Sequence, residues 1–269
     1  MALRFSLLKG GVFLPYSTLR PPERVVLLDE IRGFCLLLMI LYHGAFDIIY
    51  FFGFDIPAFH WPVLRVAQPL VAGVFILISG ICCHYSRSNL RRGALALGVG
   101  VLMSLITWRI MPDMRILFGI LHFLGAAMML FALARRALDR LPVFWGLFVM
   151  AALFAFTLLV PQGRLGLPGP FGIDLPRALY RTPFLFPLGF PSPGFFSSDY
   201  FPLIPWLFCF FAGSYLGVLS TQGGLPRFFY HSHARPLAAM GRRSLIIYVL
   251  HQPVLYGLLT AVLHLCFNG

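Results

Sequence analysis

The chain has 269 residues, of which 59% are hydrophobic and 11% charged, and its net charge is +12 from 21 basic and 9 acidic residues. Mean hydropathy is +0.84. Much of any soluble globule faces water, and an ordinary soluble domain carries roughly 25% charged residues, so this composition excludes a soluble enzyme, a disordered chain and a disulfide scaffold. It specifies an all-α polytopic membrane protein, because lipid offers backbone groups no partners and no barrel alternation is visible. Lys9 is the single lysine; the other basic residues are arginines. In a soluble protein that excess would point to nucleic acid. Here the arginines fall between apolar stretches, where they set topology, and no nucleic-acid partner is expected. The cysteines (Cys35, Cys82, Cys83, Cys209 and Cys266) show no C-x-x-C or His/Cys ligand spacing, so they read as small buried residues and no metal is expected.

Residues 1–24 read as a cytoplasmic tail carrying Arg4, Lys9, Arg20 and Arg24. Residues 25–269 read as a single membrane-embedded domain. Crossing a bilayer takes about 20 helical residues, and about seven stretches qualify: 31–53, 64–84, 93–111, 116–134, 142–160, 202–219 and 244–266. Arginine-rich loops alternate with arginine-poor ones. Arg87, Arg91 and Arg92 mark one, Arg135, Arg136 and Arg140 the next, and Arg227, Arg235, Arg242 and Arg243 the last. The intervening loops mix arginine with Asp55, Asp113, Asp174 and Asp199. By the positive-inside rule the N-terminus is in and the C-terminus out. The tail lacks a continuous apolar core, so no cleavable signal peptide is expected. Residues 161–201 form a long outside loop rich in proline and glycine. Its aromatics (Phe184, Phe186, Phe190, Phe195, Phe196 and Tyr200) predict a structured flap rather than a spacer. The expected location is a plasma or inner cell membrane, with lipid as the surrounding partner.

Ionisable residues inside a span are costly and face a partner or a cavity. Counted at 1.5 Å per residue, His43, Asp47, Gln68, Arg109 and His122 share the outer half of the bilayer. His43 and Asp47, four apart, lie on one helix face. The set reads either as helix-pairing hydrogen bonds with an Asp47–Arg109 ion pair, or as the lining of a cavity. A second set lies towards the inner face: Asp29, Arg32 and Gly33 at the start of the first span, Ser79 and Gly80 in the second, and Ser244, His251, Gln252 and Pro253 in the last. Proline there opens the helix ladder, which a membrane helix tolerates beside a cavity. His60 sits in the short outside loop, between Pro57 and Pro62 and flanked by Phe59 and Trp61. A histidine so placed can act as a general base.

The run Leu28-Asp29-Glu30-Ile31-Arg32-Gly33-Phe34, the His43-Gly44 and Asp47 of the first span, His60-Trp61, and Phe75-Ile76-Leu77-Ile78-Ser79-Gly80 together resemble the catalytic domain of the heparan-alpha-glucosaminide N-acetyltransferases. Arg92-Gly93, Gly119-Ile120-Leu121-His122 and Tyr248-Val249-Leu250-His251-Gln252-Pro253 extend the likeness over most of the chain, and the last of these also resembles a wider group of membrane acyltransferases. The resemblance implies transfer of an acetyl (acyl) group from cytoplasmic acyl-CoA, as co-substrate, to an acceptor across the membrane. In the lysosomal enzyme that acceptor is a terminal glucosamine amine, and its catalytic histidine lies in the outside loop, where His60 matches best. That enzyme carries asparagine at the position of His43, so His43 inherits no role from it. The chain is shorter than the lysosomal protein and shows no obvious luminal domain.

Acyl transfer needs a base for the acceptor proton and donors for the oxyanion. The predicted catalytic set is His60, His43 and Asp47, with Gln68, Arg109 and His122 to orient substrate or stabilise charge. Asp29, Arg32, Arg91, Arg92, Arg242, Arg243 and His251 are the predicted acetyl-CoA contacts, arginine gripping phosphate in bidentate fashion. The acceptor is read as an amino sugar or other glycan, and homo-oligomerisation is left open. Two other classes compete: a transporter or flippase for an envelope metabolite using the same polar cavity, and a non-catalytic subunit packed through it.

Overall fold

The computed structural model describes residues 5–7, 13–15, 24–167, 169, 172–221 and 225–268. Arg4, Lys9 and Arg20 of the tail, with Pro168 and Pro170, lie outside the described residues. Among the described residues eight α-helices carry the fold: α1 Val26–Tyr50, α2 Pro62–Cys82, α3 Asn89–Ile110, α4 Ile120–Leu138, α5 Val143–Thr157, α6 Leu203–Thr221, α7 Arg235–Arg242 and α8 Ser244–Asn268. All but α7 give helices long and apolar enough to cross a membrane, seven in total. Two short antiparallel pairs accompany them, β1 Phe5–Leu7 with β2 Phe13–Pro15 and β3 Arg164–Leu165 with β4 Ile173–Asp174.

The chain divides into two compact units. One comprises residues 1–75 and 225–269, the other residues 76–224. In the first, α7 lies against the opening turns of α1. Gly33 and Gly241 permit this: a Cβ on Gly33 would stand 2.0 Å from the Leu237 carbonyl oxygen, and one on Gly241 1.9 Å from that of Asp29. Glycine at both positions lets two backbones meet, as small residues do at membrane helix interfaces. Further along, α8 runs beside α1 in the same direction, His251 facing His43 and Tyr256 stacking on Phe52. The α7 helix has eight residues with Pro236 in its first turn, a position where the missing N–H is no loss.

In the second unit the end of α2 meets α6 through the same device. A Cβ on Gly80 would lie 2.0 Å from the Phe210 carbonyl oxygen, and one on Gly213 2.0 Å from that of Leu77. Gly93 and Gly125 bring α3 against α4, while Tyr215 of α6 fills the space over Gly146 of α5 and donates to the Leu138 carbonyl at 2.9 Å. The described residues of the 161–201 segment are structured. Phe186, Phe195 and Tyr200 stack at 4.9 Å centroid spacing. Asp199 accepts from the Ile120 amide at 2.9 Å and so caps α4, and Ser197 takes the Leu117 amide at 3.0 Å. Burial, then the neighbouring Tyr180, pushes the Tyr200 phenol well above its ordinary pKa, so it stays protonated and donates to the Phe186 carbonyl.

Candidate active site

The first unit holds three polar groupings, all reached from α1 and the loop after it. At the helix start, Asp29 is 5% exposed and binds Arg24 through both oxygens, Nε to Oδ2 at 2.6 Å and Nη2 to Oδ1 at 3.1 Å. Arg24 thus neutralises the Asp29 carboxylate at the start of α1. Glu30, also buried, reaches across to α7. Its Oε1 accepts from Ser232 Oγ at 2.9 Å and from the His233 and Ala234 amides at 2.7 and 2.8 Å. It therefore caps α7 from another helix, since Ala234 has no side chain to do so. Arg32 stands over the Phe75 ring, 5.9 Å from its centroid, a cation–π distance. Arg242 and Arg243 follow at the end of α7 with exposed side chains.

The second grouping lies inside the spans. Asp47 is fully buried, and its Oδ1 accepts from Gln252 Nε2 of α8 at 2.7 Å. Arg109, its expected partner, is exposed in the last turn of α3. The hydrogen-bond partner found for Asp47 within its own unit is thus an amide of α8. Beside this pair, the His43 and His251 rings lie 5.0 Å apart. His251 Nδ1 contacts the Tyr248 carbonyl at 2.5 Å. His43 and Asp47 were expected in the outer half and His251 and Gln252 in the inner half, yet the four form one cluster. Both nitrogens of His43, Oδ2 of Asp47, Nε2 of His251 and Oε1 of Gln252 are buried without a hydrogen-bond partner among the described residues. Such a group costs about 1–3 kcal/mol when left unmet.

The third grouping is the loop after α1. Residues Pro57–His60 make a turn of 3-10 helix, and Phe59 packs on Tyr42, ring centroids 5.2 Å apart. His60 is exposed, and its Nε2 lies 3.3 Å from Asp55 Oδ1. Asp55 was not singled out from the sequence as a site residue. The signal was there: a carboxylate five positions from a histidine, with Pro57 to turn the chain between them. Gln68 of α2 is exposed and joins none of these groupings.

His122 lies in the second unit, where its Nε2 is 3.2 Å from Ser104 Oγ and its ring 5.6 Å from Phe118. Ser104 in turn donates to the Ile116 carbonyl at 2.5 Å. This ties α3 to the segment before α4. Arg91 and Arg92 are exposed in the first turn of α3. Among the described residues no group of three or more His, Cys, Asp or Glu side chains could hold a metal ion.

The helices and their embedded histidines define a multi-pass membrane protein with a histidine–carboxylate pair at an exposed loop. It belongs to the heparan-alpha-glucosaminide N-acetyltransferase catalytic-domain family, whose profile matches residues 24–253. That match takes in α1 to α7 and α8 as far as Pro253, with all three groupings of the first unit. No curated protein and no solved structure gives a match.

Proposed function

We propose that the protein is a membrane acetyltransferase that moves an acetyl group from cytoplasmic acetyl-CoA to an amino sugar or other glycan on the far side, in a plasma or inner membrane with the N-terminus in and the C-terminus out. Family membership supports the reaction class. The observation that carries the assignment of residues is the exposed His60 imidazole 3.3 Å from Asp55. A carboxylate on Nε2 fixes the neutral tautomer with its proton there and leaves the Nδ1 lone pair to take the acceptor's proton, the orienting logic of catalytic triads. As the acceptor nitrogen or oxygen attacks the thioester carbonyl, Asp55 stabilises the imidazolium that forms. The paired distance is one that tightens when substrate binds. Arg242 and Arg243, consecutive and exposed, suit the donor's phosphates, with Arg32 on the same unit.

The test is acetyl-CoA-dependent CoA release in purified membranes against a panel of amino sugars. His60→Ala lowers kcat by about a hundredfold or more, the usual scale for a lost general base, with acetyl-CoA binding kept. Asp55→Asn lowers kcat less and spares the donor KM. Near-normal turnover in His60→Ala with collapse in His43→Ala overturns the assignment and moves the base role to the embedded histidine. The unmet polar atoms around His43 also favour a second reading, a transporter; turnover without thioester consumption identifies it.

A further inference from the structure

The turn between α2 and α3 and the start of α3 hold another set of unmet polar atoms, all within the unit of residues 76–224. Asn89, the first residue of α3, is 7% exposed. Its Nδ2 donates to the Cys83 carbonyl at 2.9 Å, while its Oδ1 is buried with no partner among the described residues. Ser86 Oγ and Arg135 Nε are buried and unmet as well. Arg135 belongs to the same neighbourhood. Gly93 meets Met129 and Gly100 meets His122, so α3 and α4 run antiparallel and the start of α3 lies beside the end of α4. His84, next to Cys83, meets the Phe131 ring with centroids 5.5 Å apart, and the Arg135 guanidinium stands over that ring at 5.9 Å. Asp139 is 3.9 Å from Arg135 Nε, beyond hydrogen-bond reach.

These groups call for a ligand that is anionic and carries a hydroxyl. Arg87, Arg91 and Arg92 are exposed on either side of Asn89 in the chain. The first-turn amides of Asn89 and Leu90 have no helix carbonyl to meet, Ser88 Oγ having taken that of Arg91. Such amides, at the positive end of the helix dipole, bind phosphate. Asn89 Oδ1 is the exception. Among donors and cations it can only accept, so the ligand brings an O–H or N–H beside its phosphate. An ammonium would donate as well, but the arginines repel it, and a hydroxyl is neutral. The position of the site favours a lipid over a soluble ester. As spans, α2 ends and α3 begins at one membrane face, at headgroup level. From there α3 runs with Leu90, Ala94, Val101 and Leu105 exposed, a spacing that puts all four on one helix face. An acyl chain can follow that stripe from a headgroup seated at its start.

We propose that the α2–α3 turn, the first turn of α3 and Arg135 form a headgroup site for an anionic phospholipid with a hydroxylated headgroup, of the phosphatidylglycerol kind. The phosphate oxygens accept from the Asn89 and Leu90 amides and from the guanidinium groups. A glycerol hydroxyl donates to Asn89 Oδ1, and Ser86 completes the set. The site is independent of the acetyl-transfer reading, and it takes Arg91 and Arg92 out of the acetyl-CoA contacts expected from the sequence.

Native mass spectrometry of the full chain, delipidated in detergent and titrated with single lipids, tests this. The probes are phosphatidylglycerol, phosphatidylmethanol and phosphatidylcholine. Phosphatidylmethanol has the charge of phosphatidylglycerol without its headgroup hydroxyls. The site is expected to hold phosphatidylglycerol about tenfold more tightly than phosphatidylmethanol, on the scale of leaving one buried acceptor unmet, and phosphatidylcholine more weakly still. Arg91→Gln with Arg92→Gln, both at exposed positions, weakens both anionic lipids. Asn89→Ala removes the difference between them. Should that variant fail to fold, having lost its bond to Cys83, the comparison of the two lipids on the wild type decides alone. Equal affinity for the two anionic lipids reduces the site to attraction by loop arginines and overturns the proposal. So does an affinity unchanged in the double arginine variant, which places the lipid elsewhere. Displacement of phosphatidylglycerol by acetyl-CoA or by glycerophosphoglycerol at equal concentration assigns the site to a soluble phosphate ester and overturns it too.

Discussion

Glu30 is the residue through which α1 holds α7, and its removal has a calculable effect. Three donors converge on Oε1: the Ser232 hydroxyl and the His233 and Ala234 amides. Ser232 is exposed and finds water when the carboxylate goes. The two amides lie where the chain is held against α1 ahead of the helix, and α7 has no side-chain cap of its own. A hydrogen bond to a charged group is worth about 1.5–3 kcal/mol. At the lower end, because the site is only partly buried, two such bonds sum to about 3 kcal/mol. That is roughly a hundredfold in an opening equilibrium. Glu30→Ala is therefore expected to raise hydrogen exchange of the 234–242 amides about a hundredfold, with α4 of the other unit unchanged. Glu30→Gln keeps an acceptor oxygen but not the charge, and its effect is smaller. Because α7 carries Arg235 and Arg242, Glu30→Ala also raises the KM for acetyl-CoA while kcat at saturating donor holds. Unaltered protection of α7 in Glu30→Ala refutes the reasoning. Altered protection with an unchanged donor KM leaves the cap standing and removes α7 from the donor site.

Gly80→Ala forces a Cβ to within 2.0 Å of the Phe210 carbonyl oxygen. Overpacking of this sort costs about 1–3 kcal/mol, so the variant unfolds in detergent at a lower temperature than the wild type. Gly98→Ala, with nothing within 4 Å of the added carbon, leaves the transition in place, and equal shifts in both discount the contact. A reporter active only in the cytoplasm, fused after Gly269, is expected to stay silent; a strong signal reverses the proposed orientation.

The spans were legible because a bilayer imposes a length and a hydropathy that the chain displays openly. Their ends were less so, for reasons that can be assigned. The first span was expected at 31 and begins at Val26, since the acidic pair that seemed to lie outside it is satisfied within the fold, Asp29 by Arg24 and Glu30 by the amides ahead of α7. The same residues hid α7. Arg235–Arg242 is too short and too charged to register as a span, and its helical state depends on a cap that lies about 200 positions away in the chain. The flap's order was legible from its aromatics, but the bond from Asp199 to the Ile120 amide that anchors it was not.

The site divides along the same line. Within one helix the spacing was legible, His43 and Asp47 sharing a face as i, i+4, whereas the pairing of Asp55 with His60 across the proline turn was missed. Contacts between helices were not legible, because depth counted from a span's end assumes that every helix starts at one level. Early α1 and later α8 do not, and that offset places His251 against His43 and Gln252 against Asp47. Placed side by side, these contacts give α1 a function beyond its span. Its first turns hold α7 and the arginines suited to the donor. Its later turns carry the imidazole and carboxylate of the embedded cluster, and the loop it leads into ends at His60. A rotation of α1 by one residue, about 100°, would misalign all three at once. The two ends of the proposed reaction are thus coupled through the register of a single helix.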